Sequence, residues 1–219
     1  MGQDYIQSLD ESAANYIDEW TNDERATITL RQLLDMRSGL IPVYFDPASQ
    51  NLSERTETDE SGGDLVFADD QMSACIQRSL ASETGNPVWY LNGRVPYQRG
   101  AWVYSNCDTM ILGEIIFRAT EQSLQPHADI HLFSKLDMTA YWWRDNTAIG
   151  QENGNFLAYC CLDATARDFA RFGQLILDGG VWEGEQIVPS AYIDALKRIT
   201  QDSVVGPPYN SSYNYGLKF

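Results

Sequence analysis

The sequence predicts an α+β chain that is mostly helical, and three observations carry that reading. Start signals of the capping-box type stand at Thr29/Gln32, Ser105/Asp108 and Thr165/Asp168, each ahead of an apolar run with helical spacing. Strand candidates are few, namely residues 181–188 and 213–219. Hydrophobic residues make up 43% and aromatics 12% of the 219 positions, enough for one sizeable core or a core plus a lobe.

Taken in order, residues 5–20 read as a weak, turn-rich start. A helix follows from about Leu30 to Arg37, with Ile28 and Leu33 at hydrophobic-staple spacing and Gly39 as a left-handed stop. Residues 46–66 are polar, acidic and aperiodic, which predicts a long surface loop. The spacing of Met72, Cys75, Ile76, Ser79 and Leu80 predicts a helix over about 70–80. Residues 84–103, punctuated by Gly85, Pro87, Gly93, Pro96 and Gly100, read as a turn-rich connection.

The helix after Tyr104 carries the stripe Ile111, Leu112, Ile115, Ile116 and Ala119, with Glu114 and Arg118 able to pair on its wet side. A shorter helix over 124–134 tolerates Pro126 in its first turn. Turns and short strands occupy 140–162. The third boxed helix turns Phe169, Phe172, Gly173 and Ile176 inward and ends at Gly179. Pro189 begins a last helix on which Tyr192, Ala195, Leu196 and Ile199 share a face.

Fifteen Lys+Arg against 31 Asp+Glu give a formal charge of −16. A field of that sign repels nucleic acid and anionic membranes, so neither is expected as a partner. No apolar run approaches the ~18 residues of a membrane span. The acidic start MGQDYIQSLDE is no secretory signal. The four cysteines form no Cys-x-x-Cys pair. Cys75 reads as a small core residue, and adjacent cysteines such as Cys160-Cys161 rarely bond to each other. The redox compartment stays open.

The residues with chemical promise centre on Tyr104-Ser105-Asn106. Tyr104 stands just before a helix amino terminus, where free N–H groups and the dipole favour negative charge. A phenol there, beside an ammonium, can act as a base. Asn106 can present its amide to a substrate carbonyl or to a neighbouring catalytic side chain. On spacing alone the plainer reading is favoured: a half-buried tyrosine packing the helix start, with Asn106 supporting the cap. Yet the staple partner of Tyr104 would be Thr109, which is not apolar.

The tripeptide and the blocks around it resemble serine hydrolases related to class C β-lactamases and penicillin-binding proteins. The blocks are ITLRQLLDMRSGL at 28–40, YSNCDTMILGEIIFRATEQSL at 104–124, LFSKLDMTAYWWRD at 132–145, ATARDFARFGQLILDGGVW at 164–182 and YNYGLKF at 213–219. They fall in family order and cover nearly the whole chain. Lys-Leu-Asp-Met replaces the family's usual Pro-Leu-Gly-Met. Thr165 to Asp168 and Trp142 to Asp145 lean toward the branch with esterases and amide hydrolases, including those acting on nylon oligomers.

The resemblance implies a β-lactamase/transpeptidase-like α+β fold, present chiefly as its helical lobe. It makes Tyr104 the catalytic tyrosine and Asn106 the substrate-orienting asparagine, in a hydrolase of ester or amide bonds that works through an acyl-enzyme. Such an enzyme takes a small-molecule substrate and no metal or organic cofactor. The family's Ser-x-x-Lys pair has no match: Lys135, Lys197 and Lys218 are preceded at that spacing by Leu132, Asp194 and Tyr215. The third element, a Lys-Thr-Gly or His-x-Gly stretch, is also unmatched. The resemblance therefore implies a domain, residues 1–219, truncated at both ends and inactive by itself.

Two alternatives stay open. One is a non-catalytic binding module of the same fold. The other is a metal hydrolase using His127 and His131, although surface histidines explain that pair more simply because Ala128, not Glu, follows His127. No Gly-x-Ser-x-Gly elbow is present.

Overall fold

A computed structural model describes residues 5–41, 65, 68–81, 86–90, 93–97, 99–100, 102, 105–145 and 154–197. Six α-helices are found among them: α1 Leu30–Leu34, α2 Gln71–Ile76, α3 Asn106–Thr120, α4 Leu124–Ala128, α5 Ala166–Leu177 and α6 Ser190–Leu196. Six short strands pair as three antiparallel two-stranded ribbons: β1 Asn86–Tyr90 with β2 Gly93–Tyr97, β3 Ala140–Trp142 with β4 Leu162–Ala164, and β5 Val181–Trp182 with β6 Glu185–Gln186. The predicted 181–188 strand is this last hairpin. The predicted strand over 213–219 lies outside the described residues.

Helix α1 begins as its sequence dictates. Thr29 Oγ1 accepts from Gln32 N, and Gln32 Oε1 accepts from Thr29 N at 2.9 Å. It stops earlier than expected, because Met36 already turns left-handed at φ 55° and Gly39 at φ 83° makes a second turn. Helix α5 has the complete Thr165/Asp168 box, which accounts for Asp168 as a cap; Arg171 also pairs with its carboxylate. The segment predicted as one helix over 124–134 is α4 continued by a π-turn, Asp129–Phe133, and a 3₁₀ turn, Ser134–Leu136.

Two apolar clusters organise these elements. The larger packs α1, α2 and α3 around Trp20, Leu30, Leu33, Met110, Ile111 and Ile115. Trp20 is fully buried, and its indole N–H donates to the Ile76 carbonyl at 2.9 Å, so its polar edge is satisfied inside the core. The smaller joins α4, β3 and α5 through Phe133, Leu136, Met138, Ala140 and Leu175, with Trp142 5.5 Å from Phe133. Buried Asp145 links the two regions: it accepts from the backbone N–H of Gln71 at 2.9 Å and of Asn155 at 2.6 Å.

Several expectations are corrected. Residues 86–90 and 93–97 pair as antiparallel strands rather than forming irregular connection. Leu65, placed at the end of the polar loop, is fully buried in the larger core; 42–64 lie outside the described residues. Helix α2 ends at Ile76, leaving Ser79 exposed. On α5, Leu175 and Ile176 are the buried apolar residues while Phe169 is 49% exposed, because the helix rests on the smaller core by its C-terminal half. On α6 the buried residue is Ile193. Trp143 is 60% exposed and donates to Asp163. Leu112 and Ile116 of the α3 stripe are only half-buried and border an apolar groove of about 300 Å³ with Leu30, Leu34 and Tyr192.

Arg118 braces α3 against the start of the chain. Its guanidinium donates to both Glu19 oxygens, at 2.8 and 2.9 Å, and to Glu114 one turn back at 2.7 Å. The hydrogen bond from Arg118 holds the Glu19 carboxyl down to about 2. A carboxyl lowered in the folded state stabilises it fully above the unfolded value of 4.5 and ceases to do so as pH falls through about 2. The stability gap between the wild type and Arg118→Met should therefore be widest above pH 5 and narrow steadily toward pH 2, as read from urea midpoints. A constant gap would remove this pair from the acid response.

Candidate active-site turn

The candidate site is the first turn of α3. Ser105 is extended at φ −132°, is buried, and caps the helix by accepting from Asp108 N at 3.1 Å. The reciprocal half of the expected box is absent. Asp108 is fully buried, and its Oδ1 accepts the Ser105 hydroxyl at 2.9 Å and the Ser38 hydroxyl at 2.7 Å. Ser38 Oγ in turn accepts from Leu40 N at 3.1 Å. One carboxyl group thus ties the α3 start to the turn that follows α1.

A second tie is covalent. Cys75 of α2 and Cys107 of α3 form a disulfide, both residues being fully buried, so Cys75 is the core residue expected and is bonded as well. A third runs along the same turn: Arg37 donates to the Gly100 carbonyl at 2.9 Å, and Arg99 donates to the Ala81 carbonyl at 3.2 Å and pairs with Glu24. Gly39 sits in this nest, where a Cβ would come within 2.9 Å of Arg99 Cγ.

The consequence for Asn106 is geometric. Ser105, Cys107 and Asp108 are buried and bonded around it, while Asn106 is half-exposed on the fixed turn. Its amide offers both a donor and an acceptor beside the positive end of a 15-residue helix. Tyr104 lies outside the described residues. The structure therefore places one of the two sequence-predicted site residues. Sequence reasoning read Asp108 only as a cap and missed its bond to Ser38 and the Cys75–Cys107 bond, which hold the turn.

His127 and His131 stack at 4.5 Å between ring centroids, and burial holds His127 below its usual range. No group of three or more His, Cys, Asp or Glu able to hold a metal occurs among the described residues. Nor is any described helix long and apolar enough to cross a membrane.

Comparison with known proteins places the fold. The Beta-lactamase family model matches residues 6–217, and the chain belongs to that family. Over 97 residues it is 31% identical to the 6-aminohexanoate-dimer hydrolase of Paenarthrobacter ureafaciens, a match covering 44% of this chain and 24% of that protein. A solved Bacillus anthracis structure, provisionally named a 6-aminohexanoate-dimer hydrolase, superposes with TM-score 0.65 at 26% identity, over 99% of this chain and 52% of that one. A class C β-lactamase from Rhodobacter sphaeroides superposes with TM-score 0.52 at 15% identity, over 88% of this chain and 50% of that one. The chain thus spans about half the length of these solved structures. The fold is the β-lactamase/transpeptidase α+β fold, represented here by helices with small antiparallel ribbons.

Proposed function

We propose that this chain carries part of the active site of a serine hydrolase that cleaves ester or amide bonds through an acyl-enzyme. In that mechanism a serine alcohol adds to the carbonyl, the amine or alcohol departs, and water releases the acyl group. Tyr104, just before Ser105 in the sequence, shuttles protons between the serine and the leaving group. Asn106 orients the substrate carbonyl. The observation that carries this reading is the anchoring of the turn: three buried groups fix Asn106 from residues as distant as Ser38. Structural supports of that kind suit a site whose geometry matters to chemistry. The similarity to 6-aminohexanoate-dimer hydrolases favours linear amides over β-lactams.

The 219 residues hold no Ser-x-x-Lys. The domain is accordingly proposed to be truncated at both ends and to form no acyl-enzyme alone. The test is hydrolysis of short-chain nitrophenyl esters and of a linear amide dimer by the product of the gene extended in both directions. Turnover is expected, falling about 10²–10⁴-fold in Tyr104→Phe. Wild-type rates in that variant would remove Tyr104 from the mechanism. An extended product still lacking Ser-x-x-Lys, yet binding such substrates, would favour the binding module.

A further inference from the structure

We propose that the vicinal Cys160–Cys161 disulfide is a reversible thiol–disulfide exchange site for small dithiols. The expectation that these neighbours stay unbonded is corrected: all four cysteines of the chain are paired, as Cys75–Cys107 and Cys160–Cys161. The two bonds differ in the property that governs exchange. A thiolate must reach a disulfide sulfur to attack it. Cys75 and Cys107 are fully buried between α2 and α3, whereas Cys160 is half-buried and Cys161 is exposed just before β4.

The pair is also wired to its surroundings through the backbone. Cys161 is left-handed at φ 66°, a conformation disfavoured for an L-residue, and the covalent ring closed by the two neighbouring sulfurs restrains it there. In that conformation the Cys161 carbonyl accepts from Trp143 N at 3.0 Å, and the Trp143 carbonyl accepts from Leu157 N at 2.9 Å. Cys160 N donates to the Leu157 carbonyl at 3.1 Å. Between them, Ala158 lies against Gly113 of α3, where an added Cβ would meet it at 2.9 Å. Opening the ring lets Cys161 leave the left-handed region, and the Trp143 hydrogen bond is the first to go.

The exchange balances simply. A dithiol thiolate attacks the sulfur of Cys161, the more exposed residue of the pair. The protein S–S bond breaks as the mixed disulfide forms, and the Cys160 sulfur leaves with the electron pair and takes a proton. The second thiol of the reductant then closes its own disulfide, and Cys161 leaves and is protonated. The protein gains two electrons and two protons, and the dithiol becomes a disulfide.

The test uses the whole chain, air-oxidised and folded, exposed to dithiothreitol without denaturant, alkylated with iodoacetamide and mapped by mass spectrometry. Cys160 and Cys161 should be labelled while Cys75 and Cys107 stay bridged until guanidinium is added. In parallel samples reduced but not alkylated, amide exchange at Trp143 and Leu157 should be about tenfold faster after reduction and recover on reoxidation. A Cys160→Ser/Cys161→Ser variant should exchange at the reduced rate whether or not dithiothreitol is present. Free thiols at 160 and 161 in the air-oxidised protein, equal reduction rates for the two bonds, or unchanged exchange at Trp143 would each overturn the proposal.

Discussion

Asp108→Ala is expected to be among the most damaging single substitutions in the described fold, lowering stability by about 3 kcal/mol. The change strips the acceptor from two buried hydroxyls, Ser38 and Ser105, which are 4% and 1% exposed. Each hydroxyl left without its partner in the interior costs about 1–3 kcal/mol, and neither can turn outward to water. For a chain of this size the midpoint of thermal unfolding should fall by about 6–12 °C. The Ser38→Ala variant alone should cost less, since Asp108 keeps its bonds to Ser105, and a cycle with Asp108→Ala should show strong coupling between the two positions. Independent, additive losses would mean that the carboxyl is not the tie described above. Asn106 gives a second readout: its side-chain amide resonances should broaden or shift in Asp108→Ala even at temperatures where the helices persist.

Removing the Cys75–Cys107 bond, as Cys75→Ala/Cys107→Ala, is expected to cost about 4 kcal/mol on the loop-entropy estimate for a separation of 32 residues. The sulfurs lie inside the larger core, so the variant loses packing as well as the cross-link. The bond spans α2 and the first turn of α3, and its loss should therefore free the candidate site before it frees the rest. Limited proteolysis checks this directly: new cleavage should concentrate around α2 and the start of α3. Uniform cleavage along the chain, or a denaturation midpoint equal to that of the wild type, would contradict it.

What the sequence disclosed was local chemistry. The Thr29/Gln32 and Thr165/Asp168 boxes are each written within four residues, and both form as read. The Glu114–Arg118 pair is likewise a matter of one helical turn. Ser105/Asp108 has the same spelling but only half the outcome, because Asp108 also serves Ser38 from 70 residues away. That partnership has no local signature. Cysteine connectivity cannot be deduced from spacing either, so the bond at Cys107 stayed hidden.

The β1–β2 pairing was obscured by Pro87 and Pro96, which argue against strands in a larger sheet. They are tolerated here because a two-stranded ribbon consists of edges, and the two prolines sit opposite each other in its register. Phe169 shows the converse limit. Periodicity identifies the apolar side of α5, but the contact that covers Leu175 and Ile176 does not extend to the first turn. Of the candidate site, the tripeptide 104–106 located the turn, and only the three-dimensional arrangement revealed what fixes Asn106.

The ties at the start of α3 have a kinetic consequence. Ser38 to Asp108, Arg37 to Gly100 and Cys75 to Cys107 bridge 70, 63 and 32 positions of chain. Contacts so remote require loop closure before they give any return, so they complete late in folding, after the capped helices exist. A substrate-sized probe that recognises Asn106 would consequently report the last stage of folding, and its signal should lag behind helix formation in a refolding time course.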